Sequence, residues 1–234
     1  MVVVDHEDLT DVPEFWSKVE DRLLADLSDG TILRTQVGLI YHSLEDVNEK
    51  LRLGRYFFTD ILRDGIILFE EPGHPFVAPE QLSAGEALKE TRDYFEEWFE
   101  SARQFYRQYE HAVADEAPKV AVFDLHQATE RLYHCIFLVR TLYSPKTHNL
   151  NRLRALTEQL EPQLRTVWPT DNRLHKRAYN LLREAYIKAR YSRDFVISPE
   201  ELAWLGERVA LLQDLVRELC LARIAALESH SNAA

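Results

Sequence analysis

Apolar positions at Phe15, Val19, Leu23 and Leu27 recur every fourth residue, with Pro13 before them and Gly30 after them. That spacing predicts a helix over 13–29, since proline suits a first helical turn and glycine a helix end. The three valines Val2–Val4 read as the end of a strand, and TQVGLIYHS (35–43) reads as short and β-rich. LEDVNEKLRLG (44–54) and RYFFTDILRDG (55–65) are helix-like and each is closed by a glycine, and the run IILFE (66–70) reads as a further strand. The first third is therefore expected to be a small β-α-β-α-α-β layer. EEPGHPFVAPEQLS (70–83), with three prolines and a glycine, is the best linker in the chain.

From Ser83 the strand signals stop. Phe95, Trp98, Ala102, Phe105, Tyr109 and Val113 are spaced by three and four, the stripe of a long amphipathic helix whose aromatics are expected in a core. KVAVFDLHQATERLYHCIFLVRTLY (119–143) is apolar nearly all round, as the central helix of a bundle must be. Further helices are predicted from HNLNRLRALTEQL (148–160), from DNRLHKRAYNLLREAYIKARY (171–191) and from Ser198 to about Leu227, the last with Ser198 as N-cap, Pro199 in the first helical position and Glu201 as the third. The expected fold class is α+β: a small α/β region over 1–78, then an all-α bundle of about five helices over 83–230.

Composition narrows the picture. The 234 residues are 46% hydrophobic and 29% charged, which is globular rather than disordered. The N-terminal MVVVDHEDL lacks a basic region and an apolar stretch long enough for a signal peptide, and no run approaches the roughly 18 apolar residues of a membrane span, so a cytoplasmic protein without membrane contact is expected. Cys135 and Cys220 sit in helical apolar patterns without C-x-x-C spacing, which points to neither a disulfide framework nor a zinc site.

The net charge of −11 hides an asymmetry. Between Arg140 and Arg193 there are twelve Lys/Arg and four Asp/Glu, so this segment carries 12 − 4 = +8 and the remainder −11 − 8 = −19. A basic block of this kind suits a phosphate or nucleic-acid surface, and equally an interface that pairs the two signs or a set of solvated helix faces.

Two stretches, LYSPKTHNLNRL (142–153) and REAYIKARYSRDF (183–195), on helices in this order, resemble the HEPN domains found beside small nucleotidyltransferases. RTQVGLIYHSLEDVNEKLRLGRYFFTDILRDGIILFE (34–70) in turn resembles the C-terminal half of a minimal nucleotidyltransferase of the polymerase-β type. The resemblance implies a nucleotidyltransferase–HEPN fusion whose Gly-Ser and Asp-x-Asp motifs would lie upstream of Met1, with Val2–Val4 as the tail of the strand that carried them. Nucleotidyl transfer in that fold needs carboxylates to hold Mg²⁺. The position that aligns with the family's third carboxylate is Gly38, and Asp5, Glu7 and Asp8 read as a solvated loop, so no nucleotidyltransferase activity is expected of this chain.

Many HEPN proteins are similar to metal-independent ribonucleases, in which an Arg and a His spaced R-x4-6-H act together: imidazole can move the proton of a ribose 2′-hydroxyl while the guanidinium stabilises charge on the phosphate. Here Arg140 and His148 are the catalytic candidates, with seven intervening residues rather than four to six. Arg223 and His230 match the spacing formally but run into the polar tail ESHSNAA. Lys146, Arg190 and Tyr191 are the candidates for binding phosphate or nucleic acid. Alternatively, His148 caps a helix, Arg140 partners a helix C-terminus and Tyr191 is a packed aromatic. His126 and His134, eight apart on the central helix, lie near Asp124 and Glu130 but lack the spacing of a metal pair, so core or interface roles are expected.

No metal or cofactor is therefore expected. Three readings stay open: a nucleotide- or RNA-binding regulatory module acting as a homodimer through its bundle, a HEPN ribonuclease of toxin type, and one half of a split system in which a separate nucleotidyltransferase chain supplies the missing motifs.

Overall fold

A computed structural model describes residues 1–30, 33–35, 37–80, 82–145 and 147–231. Its chain forms two compact units, Met1–Leu82 and Ser83–Ala234.

In the first unit, strand β1 (Val2–Val4) leads through a 3₁₀ turn into helix α1 (Pro13–Asp29), strand β2 (Tyr41–Ser43) and helices α2 (Leu44–Arg52) and α3 (Tyr56–Asp64). β1 and β2 run parallel with Val2 opposite Tyr41 and Val4 opposite Ser43. Helix α1 ends where its periodicity does: Gly30 adopts φ 68°, and its N–H donates to the Asp26 carbonyl at 3.2 Å. A small core gathers Trp16, Val47, Leu51 and Phe58. The Trp16 indole stacks on Tyr41 at 4.4 Å and donates to the Leu9 carbonyl at 2.8 Å. Ser43 caps α2 by accepting from the Asp46 N–H at 3.1 Å.

The strand expected over 66–70 is not formed. Ile66, Leu68 and Phe69 are 86%, 95% and 82% exposed, on backbone with no strand partner among the described residues. An apolar run of this kind becomes a strand only where two covered faces and a neighbouring edge exist, and a ribbon of two three-residue strands supplies neither. The β-rich stretch likewise forms a strand only over Tyr41–Ser43, with Gln36 outside the described residues. The α+β expectation gives way to a mostly helical chain, 71% helix, with one very small parallel sheet.

The second unit is built from α4 (Ala84–Ala114), α5 (Pro118–Thr141), α6 (Leu150–Leu160), a 3₁₀ segment Pro162–Thr166, α7 (Arg173–Tyr191) and α8 (Pro199–Ser231). Five α-helices were expected here, and five are present among the described residues. α4 opens on a reciprocal cap in which the Glu86 N–H donates to Ser83 Oγ and the Ser83 N–H to Glu86 Oε2. α8 opens in the same way through Ser198 and Glu201, as its sequence predicts. Sixteen of the 24 residues of α5 are buried, and α4, α6, α7 and α8 all pack against it. Leu125, Leu132, Tyr133, Ile136, Trp168, Leu182, Leu205 and Leu212 are core residues. Cys135 and Cys220 are free, buried thiols whose sulfurs lie 3.9 Å apart. On α4 the stripe holds through Ala102 and Tyr109, but Val113 is 44% exposed and Ala112 is buried in its place, because Val113 falls at the edge of a stripe that has drifted past it.

Candidate functional site

The basic segment begins where α5 stops. Leu142 takes a left-handed conformation at φ 53°, its N–H donates to the Leu138 carbonyl at 2.9 Å, and its buried side chain holds the turn against the bundle. The returning chain is tied to α5 by Ser144, whose Oγ bonds His134 Nδ1. Asn149, not His148, caps α6: its Oδ1 accepts from the N–H groups of Asn151 and Arg152 at 3.0 and 3.2 Å.

His148 is thereby left free of capping duty. Its side chain is 66% exposed, and Nδ1 donates to Glu130 Oε1 at 3.0 Å, although Glu130 itself is almost completely buried on α5. The ring lies parallel to that of Tyr186 from α7, with centroids 5.4 Å apart and 5° between planes. With Nδ1 occupied, the nitrogen left for a ligand is Nε2. Glu130 also faces His126, whose Nε2 lies 3.5 Å from Glu130 Oε2, too far for a well-formed hydrogen bond; His126 Nδ1 donates to the Leu182 carbonyl at 2.8 Å. Burial on its own raises the Glu130 carboxyl, but the two imidazoles outweigh it and hold its pKa below the usual carboxylate range. His134 is the opposite case: burial dominates and lowers its pKa.

Arg190 joins this cluster from the last turn of α7. Its guanidinium lies 4.4 Å from the Tyr186 ring centroid, and Nε donates to the Tyr186 carbonyl at 2.6 Å. Since His148 and Arg190 lie 5.4 and 4.4 Å from the same centroid, no more than about 10 Å separates them. Tyr191 is 76% exposed under the same guanidinium.

The pair singled out by spacing is placed differently. Arg140 forms an ion pair with the nearly buried Glu161 at 2.6 Å, whereas His148 is drawn to Glu130. Ten residues separate the anchors Glu130 and Arg140 on α5, about 15 Å of helix. Among the described residues no hydrogen bond or ion pair links Arg140 to His148. Lys146 lies outside the described residues, as does the side chain of His230.

Sequence reasoning missed Tyr186 and undervalued Glu130. The available signals were the four-residue steps from His126 to Glu130 and from Tyr186 to Arg190, each placing two groups on one helix face. Asp124, one turn before Ala128 on α5, is buried, and burial pushes its pKa up to about 6. Among the described residues no group of three His, Cys, Asp or Glu is arranged to hold a metal ion, and no helix is long and apolar enough to cross a membrane. The arrangement can present an oriented imidazole and a guanidinium to a phosphate.

The HEPN domain family matches residues 95–219, just over half of the chain. No curated protein matches the chain.

Proposed function

The chain belongs to the HEPN domain family, and from that premise we propose that its bundle binds the phosphates of a nucleotide or RNA at the face formed by His148 and Arg190. The observation that carries this reading is the exposed His148 imidazole, fixed at Nδ1 by buried Glu130, with the Arg190 guanidinium within about 10 Å. Arg190 is one of the phosphate candidates the sequence offers, whereas Arg140, the catalytic candidate, is engaged by Glu161. Tyr191, under the Arg190 guanidinium, belongs to the same proposed surface. A homodimer through the bundle helices is part of this reading.

A second reading, metal-independent RNA cleavage, is favoured by the same carboxylate–imidazole pair. Glu130 orients the ring and stabilises the imidazolium, so that Nε2 can take the proton of a 2′-hydroxyl as that oxygen attacks the adjacent phosphorus, and return a proton to the leaving 5′-oxygen. Arg190 would balance charge on the phosphate.

For the first unit, we propose a polymerase-β type nucleotidyltransferase-like fold that is inactive alone, because the strand position matching the family's third carboxylate is Gly38. The resemblance over 34–70 and the parallel β1–α1–β2 order support it. Labelled nucleotide with Mg²⁺ should show no incorporation by this chain alone.

The deciding experiment incubates labelled RNA in EDTA with the wild type and with His148→Ala. Retention without turnover at low salt supports the binding module; cleavage by the wild type alone supports the ribonuclease. Absence of both binding and cleavage at low salt removes the RNA reading.

A further inference from the structure

The cations of the basic segment divide into two groups. Arg140, Arg154, Arg177 and Lys188 are each paired with a carboxylate: Glu161, Glu158, Glu201 and Glu184. Six others, Arg165, Arg173, Lys176, Arg183, Arg190 and Arg193, have no carboxylate partner among the described residues. Three of these, Lys176, Arg183 and Arg190, share one side of α7. They are spaced seven apart on α7, two helical turns, so they fall on one line along the helix at steps of about 10.5 Å. The line runs beside Tyr179 and Tyr186, and it ends at the Arg190–Tyr186–His148 stack. Neighbouring carboxylates do not neutralise it: Glu184 is taken by Lys188 and Glu201 by Arg177.

We propose that Lys176, Arg183 and Arg190 form a phosphate-tracking ridge that holds a single RNA strand along α7 and leads it to His148. The inference rests on the RNA reading above and deepens it by making the ligand a polynucleotide rather than a mononucleotide. In a stacked strand the phosphates advance by roughly 3.4 Å each, so a cation every 10.5 Å or so meets about every third phosphate. The ridge is about 21 Å long from Lys176 to Arg190, the reach of about six nucleotides. Contacts to phosphate alone give binding that is sequence-tolerant and strongly salt-dependent. A mononucleotide or a dinucleotide at the His148 end reaches Arg190 but not Arg183 or Lys176.

The test uses the full chain and fluorescein-labelled oligouridylate of ten and of two nucleotides, titrated between 50 and 300 mM KCl (both as approximate working limits). The variants are Lys176→Gln/Arg183→Gln and, as a control on the same helix, Lys188→Gln. The ridge predicts that the double variant binds the ten-nucleotide probe roughly 10- to 30-fold more weakly near 0.1 M salt, with a salt slope shallower by about 1.4. The dinucleotide should bind wild type and double variant alike, and Lys188→Gln should match the wild type on both probes. If the wild type binds the long probe and the double variant binds it equally well, the ridge is wrong while the His148 site stands. If the wild type binds neither probe at low salt, the underlying RNA reading fails and the ridge with it. If RNA affinity is unchanged but sedimentation shows an altered oligomeric mass, the line of cations is a contact between copies, and the proposal is overturned.

Discussion

The indole N–H of Trp168 donates to the Tyr133 hydroxyl at 2.7 Å, with both side chains fully buried between α5 and the segment that precedes α7. Tyr179 packs against the same indole at 4.9 Å. Tyr133→Phe conserves ring packing but leaves a buried indole donor without its partner, which costs the desolvation of that group rather than the modest net worth of one bond. The expected loss is about 1–3 kcal/mol, read as a lower urea midpoint with an unchanged m-value.

Asp124 makes the bundle less stable as pH rises. Its folded pKa, about 6, lies above its unfolded value, so the native state holds the extra proton; stability falls as pH rises from about 4 to about 6 and stays reduced above that. Asp124→Asn removes the ionisable group. Thermal unfolding should show it more stable than wild type by about 1–3 kcal/mol at pH 7.5, with the difference closing near pH 4. A difference independent of pH would show that the carboxyl is not what matters.

Glu130 acts in the opposite sense. Its folded pKa is depressed, so its contribution is present above the unfolded value and is lost as pH falls through the folded one. Glu130→Gln keeps an acceptor for His148 but removes the charge. It should cost about 1–3 kcal/mol at pH 7, with the gap to wild type narrowing below about pH 4. If His148 does process RNA, the same variant should change the pH profile of the rate and not only its height, which a purely structural role would not do.

Gly206 on α8 leaves room for a neighbour. A Cβ there would meet Tyr109 Oη at 2.1 Å and its Cζ at 2.6 Å, and the Tyr109 ring is buried and cannot simply swing aside. Gly206→Ala should therefore destabilise by about 1–3 kcal/mol, although alanine is the better helix former by about 1 kcal/mol. Calorimetry on the single variant and on Gly206→Ala/Tyr109→Phe checks the cause, since loss of the hydroxyl should restore part of the stability.

Much of the helical framework could be read because its signals are local. Pro13 and Gly30 bracket α1, and Ser198 with Glu201 opens α8, each through interactions within a few residues of chain. The central position of α5 follows from an apolar pattern that leaves no face for solvent. The apolar run IILFE (66–70) reads as a strand and forms none, because strand formation depends on a neighbour elsewhere in the fold, which composition does not reveal. The turn that carries His148 is legible in the sequence, but the partners of its ring are not: Glu130 lies 18 residues earlier, and Tyr186 comes from another helix. Arg140 is adjacent in sequence to the turn and yet is claimed by Glu161, a competition between carboxylates that only packing decides.

The turn after α5 is fastened to that helix at two points, Ser144 on His134 and His148 on Glu130. Both fasteners are imidazole bonds, four residues apart on each side, so releasing one weakens the geometry of the other. Such a segment opens as a unit rather than fraying from one end. Its amide hydrogens should exchange with a common opening rate that increases as His134, whose pKa burial lowers, gains a proton. The piece of chain that carries the proposed working group is thus also the piece whose closure acidity controls.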